Sequence, residues 1–324
     1  MNIIVKQKEI LNSINFDPPF YIGKVLYTSK HETKKVVDIS RGLEKYGAIE
    51  LNPGRYFYQD LFADVLELLQ NHAKQIGNKL GFKTVYLPKI VPLEVLNSFG
   101  IAEAWPAYIL RVKPMQDYAD GMFTTLKEDN SYCLDPVQCA SFYELLKINN
   151  ENIKYPLKVL DISGYTYRNE FHNKLNNTIK SLEFLRAEFI IAGSGIVSVT
   201  RNNLINEYLY LFDRLNLQWR LTVGSGCYEF PSEIELKAYE RANSKDNIPI
   251  LDIELFSPSL NEWIEVIGAS NLFDDKIKRF NLKQVSADVE SGCFGVGLSR
   301  LSGLLIEAHG NQIETILQEI VHGN

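Results

Sequence analysis

The sequence predicts an α+β fold, a mixed, mainly antiparallel sheet flanked by helices. Three observations carry this. Runs with period-2 alternation cluster at 161–193 and again at 251–271, so strands follow strands instead of alternating singly with helices. Helical periods stand apart from them, at about 56–80, 200–216 and 297–308. The composition, 45% hydrophobic and 23% charged over 324 residues, is that of a globular chain able to hold one large domain and a modest appendage.

Residues 1–50 form an N-terminal segment of unassigned role, and the main domain is expected over 51–324. Within the first segment, KVLYTSKHETKKVVDI reads as a hairpin, VLY and VVDI flanking a polar turn. From about 56 to 80, Leu61, Val65, Leu68, Leu69, Ile76 and Leu80 recur at helical spacing and stop before Gly81. GFKTVYLPKIVP follows at 81–92, and SYCLDPVQCASFYELLKI reads as a loop entering a helix at about 137.

YRNEF (167–171) and EFLRAEF (183–189) read as consecutive antiparallel strands. Alternation places Thr166, Arg168 and Glu170 on one face and Tyr165, Tyr167 and Phe171 on the other. On the return strand Phe184, Arg186 and Glu188 share a face, while Leu185, Ala187 and Phe189 back onto the core. Charge and one aromatic ring gather on one side of a sheet whose other side is apolar, the pattern of a site. A helix is expected at about 200–216. In 251–256, Leu251, Ile253 and Leu255 point inward and Asp252, Glu254 and Phe256 outward, with EWIEVIGASN (262–271) as the antiparallel neighbour. The last helix starts in the glycine-rich turn of CFGVGLSR (293–300) and runs to about 308.

No apolar run approaches the roughly 18–20 residues that span a bilayer. The N-terminus mixes acidic and basic residues without a cleavage site, so neither membrane insertion nor secretion is expected. Four cysteines without framework spacing suit a reducing cytoplasm. By spacing alone they read as buried small apolar side chains. The net charge is −6, and no lysine- or arginine-rich block or long charged hairpin stands out, which argues against tRNA as a partner.

Three of these stretches, in order, resemble the class II aminoacyl-tRNA synthetases. R-x-E at 168–170, a polar loop and F-x-x-x-E at 184–188 are similar to motif 2; G-x-G-L-x-R at 295–300, leading into LSGLLIE, is similar to motif 3. The stretch 81–92 resembles the end of motif 1, which implies a homodimer with Pro88 in its interface. Within the class the resemblance is to the zinc-carrying seryl branch: the atypical archaeal seryl-tRNA synthetases and their truncated relatives, the amino acid:[carrier protein] ligases.

That resemblance implies one Zn²⁺ per chain on Cys139, Glu188 and Cys293, its open position taking the substrate α-amino group. It places Glu188 and Asn271 at the amino acid and leaves Cys133 and Cys227 structural. For ATP with Mg²⁺, it implies Arg168 between α-phosphate and carboxylate, Arg300 on the γ-phosphate, Phe184 under adenine and Glu170 at the adenine amino edge. Lys180 replaces a motif 2 loop arginine, and Glu254 and Glu265 carry magnesium. Arg168 and Arg300 are the implied catalytic residues. Gly268 stands where a serine ligand is usual, and Ser299 where glutamate is common.

The implied function is activation of a small amino acid (glycine, alanine or serine among such relatives) as its adenylate, then transfer to the phosphopantetheine thiol of a carrier protein. The short chain, the lack of a visible tRNA arm, and LLIEAHGN at 304–311, which resembles the carrier-ligase C-terminus, favour it. Two alternatives stand beside it: a truncated seryl-type tRNA synthetase, and a regulatory paralogue that binds amino acid and nucleotide without catalysis.

Overall fold

The computed structural model describes residues 10–113, 131–149, 155–170, 177–226, 233–282 and 288–322; Phe171 and Cys227 fall outside them. The chain begins with β1 (Val25–Thr28), a hairpin of β2 (Ala48–Asn52) and β3 (Arg55–Tyr58), and the long helix α1 (Asp60–Leu80). Then come β4 (Lys83–Val85), β5 (Ile90–Pro92), α2 (Leu93–Phe99), α3 (Ile101–Ala104), β6 (Arg111–Val112), β7 (Tyr132–Leu134) and α4 (Ala140–Ile148). The central pair is β8 (Leu157–Tyr167) and β9 (Glu183–Ser194), followed by α5 (Val197–Arg214), β10 (Trp219–Val223) and α6 (Glu233–Arg241). β11 (Ile250–Ser257), β12 (Glu262–Phe273), α7 (Asp275–Arg279), β13 (Val289–Gly297), α8 (Leu298–His309) and α9 (Ile313–His322) complete the described chain.

Eight strands form one sheet in the order β1-β10-β11-β12-β13-β9-β8-β4, antiparallel except for the β4–β8 edge. This is the α+β architecture that the clustering of strands predicts. Period 2 sets its two faces. In β11, Leu251, Ile253 and Leu255 are buried against the back, where α1, α5 and α8 pack. In β9 the run Ala187–Ala192 is buried throughout because both faces are covered there. Phe189 and Ile191 join the back core, while Ile190 and Ala192 join a second core built from α2, α4 and α7 on the front. That front cover ends near Glu188, and the site lies just beyond it along β9. Each such fully buried aromatic or aliphatic side chain contributes about 1.5–3 kcal/mol.

α1 ends where Gly81, at φ 79, takes the left-handed conformation and donates its amide to Asn78 and Gly77. Several elements differ from expectation. Residues 25–28 do not pair with 36–39: β1 joins β10, and the amides of Val36 and Val37 donate to Glu307 O instead. Residues 56–58 are strand, because the turn at Gly54 folds β3 back on β2. α4 starts at Ala140, since Asp135 Oδ1 takes the Val137 and Gln138 amides and holds a turn ahead of the helix. α9 extends the helices past residue 308. Arg168 and Glu170 lie just past the end of β8. Among the described residues no helix is long and apolar enough to cross a membrane.

Candidate active site

Cys139, Glu188 and Cys293 come from three separate elements and meet on the front face. Glu188 stands opposite Gly295 in the β9–β13 ladder, Cys293 lies one alternation further along β13, and Cys139 immediately precedes α4. Their ligand atoms lie within 4.8 Å of one another. Burial pushes the Glu188 carboxyl well up, opposed by the Arg186 guanidinium. The Cys139 thiol, hydrogen-bonded to Cys293 and buried, is pushed up as well, while the bond from Cys139 draws Cys293 down. Ser270 Oγ, 3.1 Å from Cys293 Sγ, adds to that. Arg186 Nε is 2.8 Å from Glu188 Oε2, at ion-pair distance, and the Cys293 thiol is hydrogen-bonded to the same carboxyl. Two thiols and a buried carboxyl, with the Arg186 guanidinium beside the carboxylate to offset its charge, form a set that fits Zn²⁺ and leaves a fourth position open.

Next to the cluster the face is cationic. Arg186 lies across β13, where a Cβ at Gly295 would fall 1.8 Å from its Nη2. Thr166 pairs with Phe184, and the Arg168 guanidinium lies 5.3 Å from the Phe184 ring and 5.2 Å from Trp105, with Nε donating to Pro136 O at 3.1 Å. Arg300, in the first turn of α8, donates from Nε to Ile179 O at 2.7 Å and from Nη1 to Glu265 O. Burial lowers its pKa, and Glu265, Arg168, Glu170 and Arg186 are the charges that act on it. Lys180 and Glu170 pair at 3.3 Å.

On the neighbouring strands Glu254 faces Glu265 across β11–β12, and Arg220 forms an ion pair with Glu254 while lying 4.6 Å over Trp263. Burial raises the Asp252 carboxyl well above its usual range, with Glu265 and Glu254 pushing the same way. A Cβ at Gly268 would sit 3.5 Å from Glu265 Oε1 and 3.6 Å from Asp252 Oδ1, so two carboxylates aim at that glycine. Hard oxygens so gathered fit Mg²⁺.

One expected site residue is placed elsewhere. Asn271 alternates to the back face, where its amide donates to Ser198 Oγ at 3.1 Å and its Oδ1 accepts the Phe273 amide. Its amide group is thus engaged away from the cluster. Pro88 is exposed, between Tyr86 and Ile90, which are 74% and 47% exposed. Sequence reasoning gave no role to Arg186, Asp252, Trp105 or Gln138. The first two carry a signal, one alternation from Glu188 and from Glu254; the last two come from loops that only the fold brings in.

No family model matches the chain. It is 27% identical over 316 residues to the type-2 serine–tRNA ligase of Methanopyrus kandleri, covering 86% of this chain and 58% of that protein. It is 26% identical over 299 residues to that of Methanococcus maripaludis, covering 85% and 57%. The chain therefore spans less than two thirds of the length of these relatives. Among solved structures, M. kandleri SerRS in complex with A. aeolicus tRNASec superposes with a TM-score of 0.77 at 22% identity, covering 95% of this chain and 64% of that one. The cytoplasmic serine–tRNA ligase of Naegleria fowleri in complex with AMP gives 0.66 at 14% identity, covering 93% and 64%. The ordered motifs, the sheet and these relatives agree: the chain is similar to the type-2 serine–tRNA ligases and fits a class II aminoacyl-tRNA synthetase-like protein.

Proposed function

We propose that the chain activates a small amino acid with ATP as its adenylate and passes the aminoacyl group to the phosphopantetheine thiol of a carrier protein. The observation that carries the first step is the meeting of Arg168, Arg186 and Arg300 with the Cys139–Glu188–Cys293 cluster on one face of the sheet. The amino acid carboxylate attacks the α-phosphorus of ATP and pyrophosphate leaves. Little proton chemistry is needed, so orientation and charge neutralisation do most of the catalysis. Arg168 would bridge the carboxylate and α-phosphate, which suits a planar guanidinium. Arg300 would hold the γ-phosphate, Phe184 would carry adenine, and Glu170, paired with Lys180, would border it. Cys139, Glu188 and Cys293 would hold Zn²⁺, which supplies Lewis-acid binding of the α-amino group when present. Glu254 and Glu265, with Asp252 beside them, would hold Mg²⁺ on the triphosphate.

In the second step the thiol attacks the adenylate carbonyl and AMP leaves. The acidic net charge weighs against tRNA as acceptor, which leaves the carrier as the favoured one. A second reading has one specific support: the M. kandleri relative was solved as a complex with a tRNA, which stands against the expectation that tRNA is not a partner. Amino-acid-dependent ATP–pyrophosphate exchange, followed by transfer assays with labelled amino acid, tests both steps. Exchange with transfer to holo-carrier is expected. Charging of tRNA without transfer to any holo-carrier replaces the acceptor, and no exchange with any amino acid leaves a non-catalytic binding protein.

A further inference from the structure

The loop that delivers Cys139 is held by a buried polar network that none of the roles above uses. Gln138, the residue before Cys139, is fully buried at φ 68, a conformation that strains any side-chain-bearing residue more than glycine. It is fixed from both sides. Its main-chain amide donates to Asp135 Oδ1 at 2.9 Å, and the Asp135 amide donates to Lys89 O at 2.9 Å. Its side-chain amide donates to Asp161 Oδ2 at 2.8 Å, and its Oε1 accepts Thr166 Oγ1 at 3.2 Å. Asp161, also fully buried, accepts Lys89 Nζ at 3.1 Å, the Leu87 amide at 3.2 Å, and the Ser163 amide and hydroxyl at 2.9 and 2.8 Å. Asp161 stands opposite Glu188 in the β8–β9 ladder. The network thus reaches the cluster twice, at Cys139 through the chain and at Glu188 through the register.

A turn alone does not call for this residue. Glycine would adopt the same backbone at no strain. A glutamine whose main-chain amide, side-chain amide and side-chain carbonyl are all engaged, at a strained position next to a ligand, has a task beyond closing the loop. We infer that Gln138 is the positioning residue for Cys139: its bonds to Asp161 and Thr166 fix the direction of the thiol toward Glu188 and Cys293. It thereby sets how tightly the three side chains close on a metal. This rests on the reading of the cluster as a metal centre, and it concerns groups that touch neither metal nor substrate.

The test is titration of Co²⁺ into the metal-free full chain, followed by the thiolate-to-metal charge-transfer absorption. The wild type should bind one equivalent with a tetrahedral thiolate spectrum, and Cys293→Ala should lose most of that band. Gln138→Gly keeps the backbone conformation and removes only the side chain. It should bind about 10–100-fold more weakly, with an altered spectrum, while the far-ultraviolet circular dichroism stays unchanged. Thr166→Val, near-isosteric, removes a single bond to Gln138 and should show a smaller loss in the same direction. Wild-type affinity and spectrum in Gln138→Gly overturns the positioning role and leaves the metal reading intact. No thiolate band in the wild type overturns the metal reading itself. Should Gln138→Gly fail to fold, Thr166→Val decides, and an unchanged affinity there overturns the inference.

Discussion

Arg168 and Arg300 are held by main-chain carbonyls, not by carboxylates, and among the described residues neither is in an ion pair. A guanidinium anchored this way is oriented while its positive charge stays available to phosphate. Arg168→Ala or Arg300→Ala should therefore lower amino-acid-dependent pyrophosphate exchange by about 10²–10³, with the fold retained by circular dichroism. His72, on α1, makes a different prediction. Both ring nitrogens are buried without a hydrogen-bond partner, the ring stands edge-on to Tyr208, and burial lowers its pKa from 6.5 to about 4. Glu207 opposes the shift, while Arg214 and Lys79 add to it. A lowered histidine pKa means that the neutral ring is the form the fold accommodates. Its contribution is complete above about pH 6.5 and is lost as pH falls toward 4, about 2–3 kcal/mol by pH 4.5. Urea unfolding of wild type and His72→Phe at pH 7 and 4.5 should show that difference only in the wild type. At this scale the sequence shows whatever alternation shows: Phe184, Arg186 and Glu188 share a face because they are two residues apart. Gln138 and Trp105 are not visible in it, because their places depend on loops closed by distant partners.

At the scale of elements, β13 makes the close approach between strands possible. Gly295 leaves the space that the Arg186 guanidinium crosses to reach Glu188. Gly295→Ala should displace that guanidinium at a cost of about 1–3 kcal/mol in stability, as for other overpacked sites. It should also lower pyrophosphate exchange, and recovery of wild-type exchange in the folded variant would show that Arg186 has no role there. β9, β11 and β12 are readable from the sequence because their alternation is local. The partner of β1 is not, since Val25 pairs with Thr222, far away along the chain, and no local pattern encodes that choice. α9 is a different case: Ile313, Ile316, Leu317, Ile320 and Val321 carry a clear helical period, and the expectation that helices end near 308 overlooks it.

At the scale of the whole molecule, the apolar side chains left outside the cores include Leu51, Phe57, Tyr86 and Ile90, at 58%, 50%, 74% and 47% exposure. Tyr165 and Leu185, on the back of the β8–β9 pair, line an open cleft of about 600 Å³ with Tyr56, Phe57 and α1. A two-fold interface through residues 81–92 would cover Tyr86 and Ile90. Sedimentation at micromolar concentration should give twice the mass of one chain, and Tyr86→Asp with Ile90→Asp should halve it. A single-chain mass for the wild type would remove the dimer. Lys89 belongs to this surface segment and to the interior at once: Pro88 and Ile90 beside it face outward, while its ammonium and carbonyl are bound to Asp161 and Asp135. A linkage of this kind runs in both directions with equal strength. Were a metal held at the cluster and the outer segment covered by a second chain, any factor by which one tightened the other would be returned in full, and sedimentation with and without a chelator would read it.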